Sequence, residues 1–259
     1  INQTKLSGTL NNIVALKEAL ENNKNVAGFL VEPIQGEAGV YVPSEGYLKS
    51  AKALCEEYGV LFIADEVQTG IARTGRLLAT CGNCSCVDKN CSGTPDVKPD
   101  VLILGKALSG GAYPVSAVLA NNTIMNVIKP GNHGSTFGGN PIAASVAVAA
   151  LDVVRDEDLA ENAYRLGEIF RQELSSFAKE NKWVKTVRGK GLLNAILIND
   201  TEDSTTAWDI CIKLRDNGLL AKPTHGNIIR FAPPLVINEK ELLDCISIIK
   251  NTISDFEKC

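Results

Sequence analysis

The sequence predicts an α/β protein with a mainly parallel, doubly wound sheet and a smaller C-terminal α+β domain. Short runs of branched apolar residues alternate with stretches of helical periodicity over residues 1–155, as in sheets with helices on both faces. The apolar runs are continuous, which is typical of strands buried on both faces. Residues 156–259 instead mix strand-like runs with amphipathic helices. We therefore expect a large domain over residues 1–155 and a small domain over residues 156–259.

Periodicity and helix-terminating residues place the individual elements. Ser44 can cap the helix that follows it, and Gly59 can end that helix. The run at residues 142–154 is rich in alanine and valine, so we expect its helix to be buried or to lie at a subunit interface. Helices are predicted at residues 10–23, 45–58, 142–154, 156–182, 205–217 and 239–256, and strands at residues 26–31, 60–64, 101–104, 115–120, 192–198 and 227–231.

Composition and charge argue against several classes of protein. The 259 residues are 45% hydrophobic, which is enough for a large core. With 26 basic and 30 acidic residues the net charge is −4, which argues against binding to nucleic acid or to a membrane surface. No apolar run of the sequence approaches the roughly 18 residues that a membrane span needs. We therefore expect neither nucleic acid nor membrane as a partner.

The cysteines indicate a reducing compartment. Four of the eight lie within residues 81–91 and the others are scattered, unlike the framework of a disulfide-stapled secreted protein. We expect an intracellular protein of the cytosol or the mitochondrial matrix. The chain begins at Ile1 without a methionine or a targeting peptide, so we expect its N-terminus to be missing or trimmed, and the sequence does not separate the two compartments.

A lysine follows a strand that reads as buried. Val101-Leu102-Ile103-Leu104 is a run of four branched apolar residues, and Gly105-Lys106 comes where it ends. In an open parallel sheet the ligand crevice lies beyond the carboxyl ends of the strands. An amine beside apolar walls is poorly hydrated, which favours the neutral form that attacks a carbonyl. The alternative is a surface lysine whose stem covers apolar neighbours.

An aspartate follows a second strand in the same way. Asp65 comes directly after the run Val60-Leu61-Phe62-Ile63-Ala64, so one sheet edge would present an acid and an amine to the same crevice. A pyridoxal 5'-phosphate (PLP) site needs this pair, because the lysine forms a Schiff base with the aldehyde and the aspartate keeps the pyridine nitrogen protonated. The alternative is that Asp65 caps the next helix.

A loop of glycines and hydroxyl residues precedes the helix at residues 142–154. Its sequence is His133-Gly134-Ser135-Thr136-Phe137-Gly138-Gly139-Asn140-Pro141. Hydroxyls and backbone amides before a helix N-terminus bind phosphate well. Most such loops are only turns, but the position of this one after a strand-terminal lysine favours a phosphate site.

Five motifs follow one another along the chain: EPIQGE at residues 32–37, DEVQTGIARTG at 65–75, LGKALSGG at 104–111, HGSTFGGNP at 133–141 and IRFAPPL at 229–235. Together they resemble the class III, fold-type I PLP-dependent aminotransferases, over nearly the whole chain apart from the cysteine-rich segment. Within this class, KALSGG followed by YPVS at residues 113–116 is most similar to the ornithine aminotransferases. Acetylornithine and 4-aminobutyrate aminotransferases are near neighbours.

The resemblance implies PLP as the cofactor and gives a role to each matched residue of the large domain. Lys106 would be the Schiff-base lysine and the acid and base of the 1,3-proton shift. Asp65 would pair with the pyridinium nitrogen. Val67 would lie against the ring, and Gln68 would hydrogen-bond to the 3-oxygen of the cofactor.

The resemblance also implies a homodimer and a carboxylate switch, with amino acids and 2-oxo acids as substrates. Ser135 and Thr136 would reach the phosphate bound in the neighbouring subunit. Arg230 would hold a substrate carboxylate through its planar fork. Glu37 would pair with Arg230 while the amine donor is bound and release it for 2-oxoglutarate. The alternative is that Glu37 and Arg230 are unrelated structural groups.

The family pattern includes an N-terminal portion that is absent here. In relatives it holds a glycine-rich phosphate loop and an aromatic residue that stacks on the cofactor. We therefore expect this chain by itself to be inactive or poorly folded. A non-enzyme alternative is a truncated homologue that acts as an interaction subunit, and the intact lysine and aspartate argue against it.

The cysteine-rich segment is foreign to the family pattern. Cys81, Cys84 and Cys86 are closely spaced, and Cys91 stands apart from them. Because a second well-spaced pair is missing, we assign no metal to the protein, although half of a zinc site remains possible. A reduced surface loop and a redox disulfide are the other two interpretations.

Overall fold

The computed structural model describes residues 10–81 and 97–257. They form two compact units, each assembled from separate stretches of the chain. The first unit is drawn from Ile1–Pro33, Pro43–Gln68 and Thr80–Leu151, and the second from Ile34–Val42, Thr69–Ala79 and Asp152–Cys259. Two short segments, Ile34–Val42 and Thr69–Ala79, therefore belong to the second unit together with the C-terminal part of the chain.

The sheet of the first unit has four strands in the order β1-β2-β3-β4. Strands β1 (Gly28–Val31), β2 (Leu61–Asp65) and β3 (Val101–Leu104) run parallel to one another, and β4 (Ala117–Ala120) runs antiparallel to β3. The prediction of a mainly parallel sheet is confirmed. The antiparallel direction of the edge strand was not predicted, because an apolar run reads the same in either direction.

Helices α1 (Ile13–Asn22) and α2 (Tyr47–Glu57) pack on this sheet. A short helix α3 (Asn122–Met125) and a long helix α4 (Pro141–Asp156) follow β4. The two helices that cover the sheet bury aliphatic and small side chains against its aromatic and branched residues. The buried members of this core are Leu20, Val31, Ala51, Cys55, Val60, Phe62, Ala64 and Val97.

The predicted cap of α2 is wrong. Gly46 occupies the N-cap position with φ of +79°, and no side chain caps the helix. Ser44 lies two residues before this position, so the helix begins too late for Ser44 to cap it. The Ser44 hydroxyl instead donates a hydrogen bond to Asn11 Oδ1, 3.2 Å away. Gly59 follows the helix with φ of +66°, and the prediction that it ends the helix is confirmed.

Helix α4 carries apolar side chains that face outward. Ala143 is its one buried residue, whereas Ile142 and Val148 are each 60% exposed. The expectation of a buried helix is therefore wrong for the single chain. The other half of that expectation, a helix at a subunit interface, remains a prediction.

The second unit contains a four-stranded antiparallel sheet in the order β5-β6-β8-β7. Its strands are β5 (Val184–Lys190), β6 (Leu193–Ile198), β7 (Lys222–Thr224) and β8 (Ile228–Phe231), and its helices are α5 (Leu159–Ala178), α6 (Thr206–Asp216) and α7 (Glu239–Ser254). Strands β5 and β7 were not predicted. The first is largely polar and the second is a three-residue edge strand with a central proline, so neither gives an apolar signal.

The two faces of this sheet bury different residues. Ile196 and Ile229 belong to the large core that includes residues of α5, α6 and α7. Ala195 and Ile228 face the other way, into a small cluster with Ile34 and Val40. The segment Ile34–Val42 therefore packs on the face of the sheet opposite the helices.

A second short segment is held to this unit by a buried arginine. Arg73 donates from Nη1 to the carbonyl oxygens of Leu192 and Pro233, at 3.1 and 2.6 Å. Burial lowers the pKa of Arg73 to about 10, so the group is still charged at neutral pH. Ile71 and Ala72 just before it have φ of +56° and +70°, a conformation that costs L-residues roughly 1–2 kcal/mol each. The second half of the motif at residues 65–75 is therefore structural.

None of the helices within residues 10–81 and 97–257 has the length and apolarity required to cross a lipid bilayer.

Candidate active site

Asp65 and Lys106 lie at the same edge of the first sheet. Strands β2 and β3 are parallel neighbours, and Asp65 is in register with Ile103. Lys106 follows Ile103 by three residues, so the Cα atoms of Ile103 and Lys106 are no more than about 11 Å apart. Asp65 is the last residue of β2, and Lys106 follows the end of β3 by two residues. Both therefore lie at the carboxyl ends of adjacent parallel strands, where ligands bind in open α/β sheets.

Asp65 is half-buried, and one of its two carboxylate oxygens accepts a hydrogen bond. Its Oδ1 accepts a hydrogen bond from the backbone N–H of Val67 at 3.0 Å. In the described part of the chain this is the one hydrogen bond that the Asp65 carboxylate makes. The bond fixes the orientation of the carboxylate and leaves Oδ2 available to a ligand.

Lys106 has an unusual backbone conformation. Its φ is +45°, in a left-handed region that costs a non-glycine residue roughly 1–2 kcal/mol. It begins a 3₁₀ helix, Lys106–Ser109, which ends at Gly110 with φ of +61°. Its side chain is exposed. Backbone strain of this kind concentrates at functional sites. At Lys106 it sets the direction in which the side chain projects from the end of β3.

Gly105 allows Val67 to approach this strand end closely. A Cβ atom at position 105 would lie 3.2 Å from Val67 Cγ1 and 3.8 Å from Ser116 Cβ. Any larger residue would therefore press on Val67, which is half-buried beside Asp65 and Gln68 in the sequence. Because position 105 is a glycine, the Val67 side chain can lie close to the backbone just before Lys106.

A cavity of about 650 Å³ opens beside Lys106. Ser135 lies on its wall together with Lys106, so two of the predicted cofactor residues share one cavity within the first unit. Asp65, Val67, Gln68 and Thr136 are not part of that wall. The other residues that line it come from the segment after Lys106, from the loop predicted to bind phosphate and from the start of α4; they are Ser109, Gly111, Ala112, Tyr113, Pro114, Val115, Ser116, Phe137, Gly138, Gly139, Asn140 and Ala143.

The loop at residues 133–141 ends in a well-formed helix start. Ser135 Oγ accepts from the backbone N–H of Gly138 at 2.8 Å. Asn140 Oδ1 accepts from the N–H of Ala143 at 2.8 Å and so caps α4. Ser135 and Thr136 are both exposed. Their hydroxyls are therefore accessible to a phosphate close to the positive end of a helix dipole.

Glu37 and Arg230 form an ion pair in the second unit. Arg230 Nη1 donates to Glu37 Oε2 at 2.8 Å, and Lys222 Nζ donates to Glu37 Oε1 at 2.9 Å. The Arg230 side chain is only 9% exposed, whereas that of Glu37 is 62% exposed. One carboxylate therefore bridges two cations at the rim of the sheet.

The hydrogen bond from Lys222 and the charge of Arg230 hold the pKa of Glu37 below the usual range of a glutamic acid. A lowered pKa means that the carboxylate is ionised throughout the neutral range and loses its charge only at more acidic pH than an ordinary glutamate. Sequence analysis missed Lys222. It lies on β7, and only the pairing of β7 with β8 brings Lys222 opposite Arg230.

The cysteine-rich segment lies almost entirely outside the described residues. Cys84, Cys86 and Cys91 fall in the stretch that the structure does not describe, while Cys81 ends the 3₁₀ helix Ala79–Cys81. Among residues 10–81 and 97–257, no three His, Cys, Asp or Glu side chains gather as metal ligands would.

Comparison with known proteins gives consistent results. The sequence model of the family Aminotransferase class-III matches residues 2–253. A mitochondrial ornithine aminotransferase of Drosophila melanogaster is 60% identical over 242 residues, which are 93% of this chain and 52% of that protein. This chain therefore spans about half the length of that relative.

Two solved structures have similar folds. An acetylornithine aminotransferase from Elizabethkingia anophelis has a TM-score of 0.87 and 64% identity over 95% of this chain and 59% of the other. An ornithine aminotransferase from Toxoplasma gondii, in which PLP partly occupies the active site, has a TM-score of 0.85 and 48% identity over 94% of this chain and 54% of the other.

Proposed function

Because this chain belongs to the class-III aminotransferases, we propose that the protein transfers the δ-amino group of L-ornithine to 2-oxoglutarate. The products are glutamate 5-semialdehyde and glutamate, formed in two half-reactions that alternate on one PLP cofactor. One observation carries the proposal: an amine and a carboxylate, Lys106 and Asp65, lie at the carboxyl ends of two neighbouring parallel strands. The high identity to an ornithine aminotransferase supports the choice of substrate.

The residues present suit PLP. The cavity beside Lys106, at about 650 Å³, lies within the range of roughly 300–1,000 Å³ that small-molecule sites have. Oδ2 of Asp65 is available to a protonated ring nitrogen, and Val67 offers an apolar wall close to the lysine. The exposed hydroxyls of Ser135 and Thr136 suit a phosphate.

PLP supplies an aldehyde that receives the amino group and a ring that takes up electrons from the reacting carbon. Lys106 Nζ would hold the cofactor between turnovers and would serve as the base and then the acid of the 1,3-proton shift, removing a proton from the substrate carbon and delivering it to the carbon that carries the aldehyde in the free cofactor. The negative charge of Asp65 would keep the ring nitrogen protonated. We assign Gln68 to a hydrogen bond with the 3-oxygen of the cofactor.

The ion pair between Glu37 and Arg230 supports a substrate switch. While Glu37 holds Arg230, no free guanidinium is offered to a second carboxylate, which suits ornithine with its distal amine. When Glu37 leaves, Arg230 can bind a carboxylate group from either glutamate or 2-oxoglutarate through two parallel hydrogen bonds. One enzyme can then accept a diamine acid in one half-reaction and a dicarboxylate in the other.

Replacing Glu37 with alanine is expected to shift the preference from ornithine towards glutamate by about tenfold, because Arg230 would be unmasked at all times and a charge-assisted hydrogen bond is worth roughly 1.5–3 kcal/mol. The measurement is the ratio of kcat/KM for ornithine to that for glutamate in single half-reactions. Glu180→Ala, which removes an exposed glutamate at the end of α5, serves as the control. An unchanged ratio in Glu37→Ala would refute the switch.

A second candidate substrate has its own support, since the Elizabethkingia protein is named an acetylornithine aminotransferase. Steady-state rates of the full-length protein with L-ornithine, N-acetylornithine and 4-aminobutyrate, each with 2-oxoglutarate, decide between them. We expect the largest kcat/KM with L-ornithine. A larger value with either of the other donors would change the substrate but keep the reaction class, and no transfer with any donor would favour a non-catalytic interaction subunit.

We propose that the protein acts as a homodimer whose phosphate site is shared across the interface. The outward apolar side chains of α4 and the exposed hydroxyls just before it support a partner subunit at this surface. The substrates are small amino acids and 2-oxo acids. The Drosophila relative is named mitochondrial, which supports the mitochondrial matrix over the cytosol for this protein.

A further inference from the structure

Two cations on adjacent strands share one carboxylate in the second unit. Lys222 on β7 is directly opposite Arg230 on β8, so their side chains leave the same face of the sheet. Lys222 Nζ lies 2.9 Å from Glu37 Oε1, and Arg230 Nη1 lies 2.8 Å from Glu37 Oε2. Each oxygen of Glu37 therefore has its own cation.

The three groups differ in how freely they can move. The Arg230 side chain is 9% exposed and held within the sheet, whereas Lys222 and Glu37 are 60% and 62% exposed. The backbone of Glu37 is fixed, because Thr224 Oγ1 donates to its carbonyl oxygen at 2.9 Å. Rotation of the Glu37 side chain alone would therefore break its bond to Arg230, without moving the segment that carries it.

We propose that Lys222 is a positioning residue that retains Glu37 when a substrate carboxylate displaces it from Arg230. This inference rests on the proposed function, in which Arg230 is alternately masked and free. If Glu37 had no second partner, its displaced carboxylate would leave an uncompensated negative charge beside the incoming substrate carboxylate. Lys222 keeps its charge-assisted hydrogen bond to Glu37 when Arg230 is released, and its positive charge reduces the repulsion between Glu37 and the incoming carboxylate, so that unmasking Arg230 costs less.

The electrostatics of the cluster agree with this role. Among the influences that lower the pKa of Glu37, the hydrogen bond from Lys222 is the largest, ahead of the charge of Arg230. Lys222 therefore stabilises the ionised carboxylate in its own right, and the carboxylate does not depend on Arg230 alone to remain charged.

The test measures the binding of glutarate, an unreactive dicarboxylate, to the full-length holoenzyme by titration calorimetry. Lys222→Met is expected to weaken glutarate binding about two- to fivefold, the range of an exposed ion pair, and to raise the Michaelis constant for the substrate 2-oxoglutarate by the same factor. It should leave kcat/KM for ornithine within about twofold of the wild-type value on the same basis. Lys222→Arg should restore glutarate binding. Lys185→Met, which removes an exposed lysine from β5 of the same sheet, should have no effect.

A double-mutant cycle with Glu37→Gln separates two ways in which Lys222 could act. If Lys222 acts through Glu37, adding Lys222→Met to Glu37→Gln leaves the Kd for glutarate unchanged. A loss of affinity of the same size in both backgrounds would mean that Lys222 attracts the ligand directly, and would overturn the proposal. No effect of Lys222→Met in the wild-type background would also overturn it. Failure of the proposed function has a different signature, since it would appear as no amino transfer by the wild type from ornithine.

Discussion

Lys106→Ala should reduce transamination by the full-length protein about 10⁴-fold, the upper range for removal of a general acid and base. In the proposed mechanism Lys106 both holds the cofactor and carries the proton, so its loss would remove two functions at once. In the wild type, ornithine should change the visible absorption of the bound cofactor within one turnover. In Lys106→Ala the spectrum should stay constant on that timescale.

Two controls separate this loss of chemistry from a loss of folding. Lys98→Ala removes an exposed lysine near the start of β3, at the opposite end of the strand, and should retain wild-type turnover. Methylamine added to Lys106→Ala should restore part of the rate, since the cavity beside position 106 is open enough to admit a small amine. Near-wild-type turnover in Lys106→Ala would show that another group performs the proton transfer.

Asp65→Asn is expected to reduce kcat by roughly 10²- to 10³-fold, because an unpartnered charge in a buried pair costs about 3–5 kcal/mol. The substitution keeps the shape of the side chain, and its amide oxygen can still accept from the N–H of Val67. The change would therefore remove little besides the negative charge that we propose keeps the ring nitrogen protonated. Steady-state kinetics with saturating ornithine measure the effect.

Asp100 provides a matched control at the other end of the same strands. Its carboxylate accepts from the N–H of Phe62 at 2.8 Å and from Lys52 Nζ at 2.8 and 2.9 Å, so it has a structural role. Asp100→Asn should lower the denaturation midpoint and leave kcat close to that of the wild type. If Asp65→Asn behaved in the same way as Asp100→Asn, the proposed role of Asp65 would be wrong.

The fold was predictable wherever an element has a regular apolar pattern. Strands β1, β2 and β3 are short and apolar, and the amphipathic helix α2 separates β1 from β2, which is the alternation that predicts a parallel sheet. Strand β5 carries polar residues over most of its length, and β7 has three residues and a proline at a sheet edge. Their pairing is decided by tertiary contacts that leave no periodic signal.

The candidate site was predictable in part for the same reason. Asp65 and Lys106 each follow an apolar run directly, so the sequence places both at one sheet edge. Lys222 was not predictable, because its relation to Glu37 depends on the register of an unpredicted strand. The cap expected from Ser44 is wrong because the helix begins at Tyr47, with Gly46 at the N-cap position, two residues beyond Ser44.

The most direct test of the central claim is to reduce the full-length holoenzyme with borohydride and to map the peptides by mass spectrometry. Borohydride makes the bond between an amine and the cofactor permanent, so the modified lysine can be identified. The account predicts one pyridoxyl group, on the peptide that contains Lys106, and none on that peptide when ornithine is added before the reduction. A pyridoxyl group on any other lysine, or on none, would contradict it.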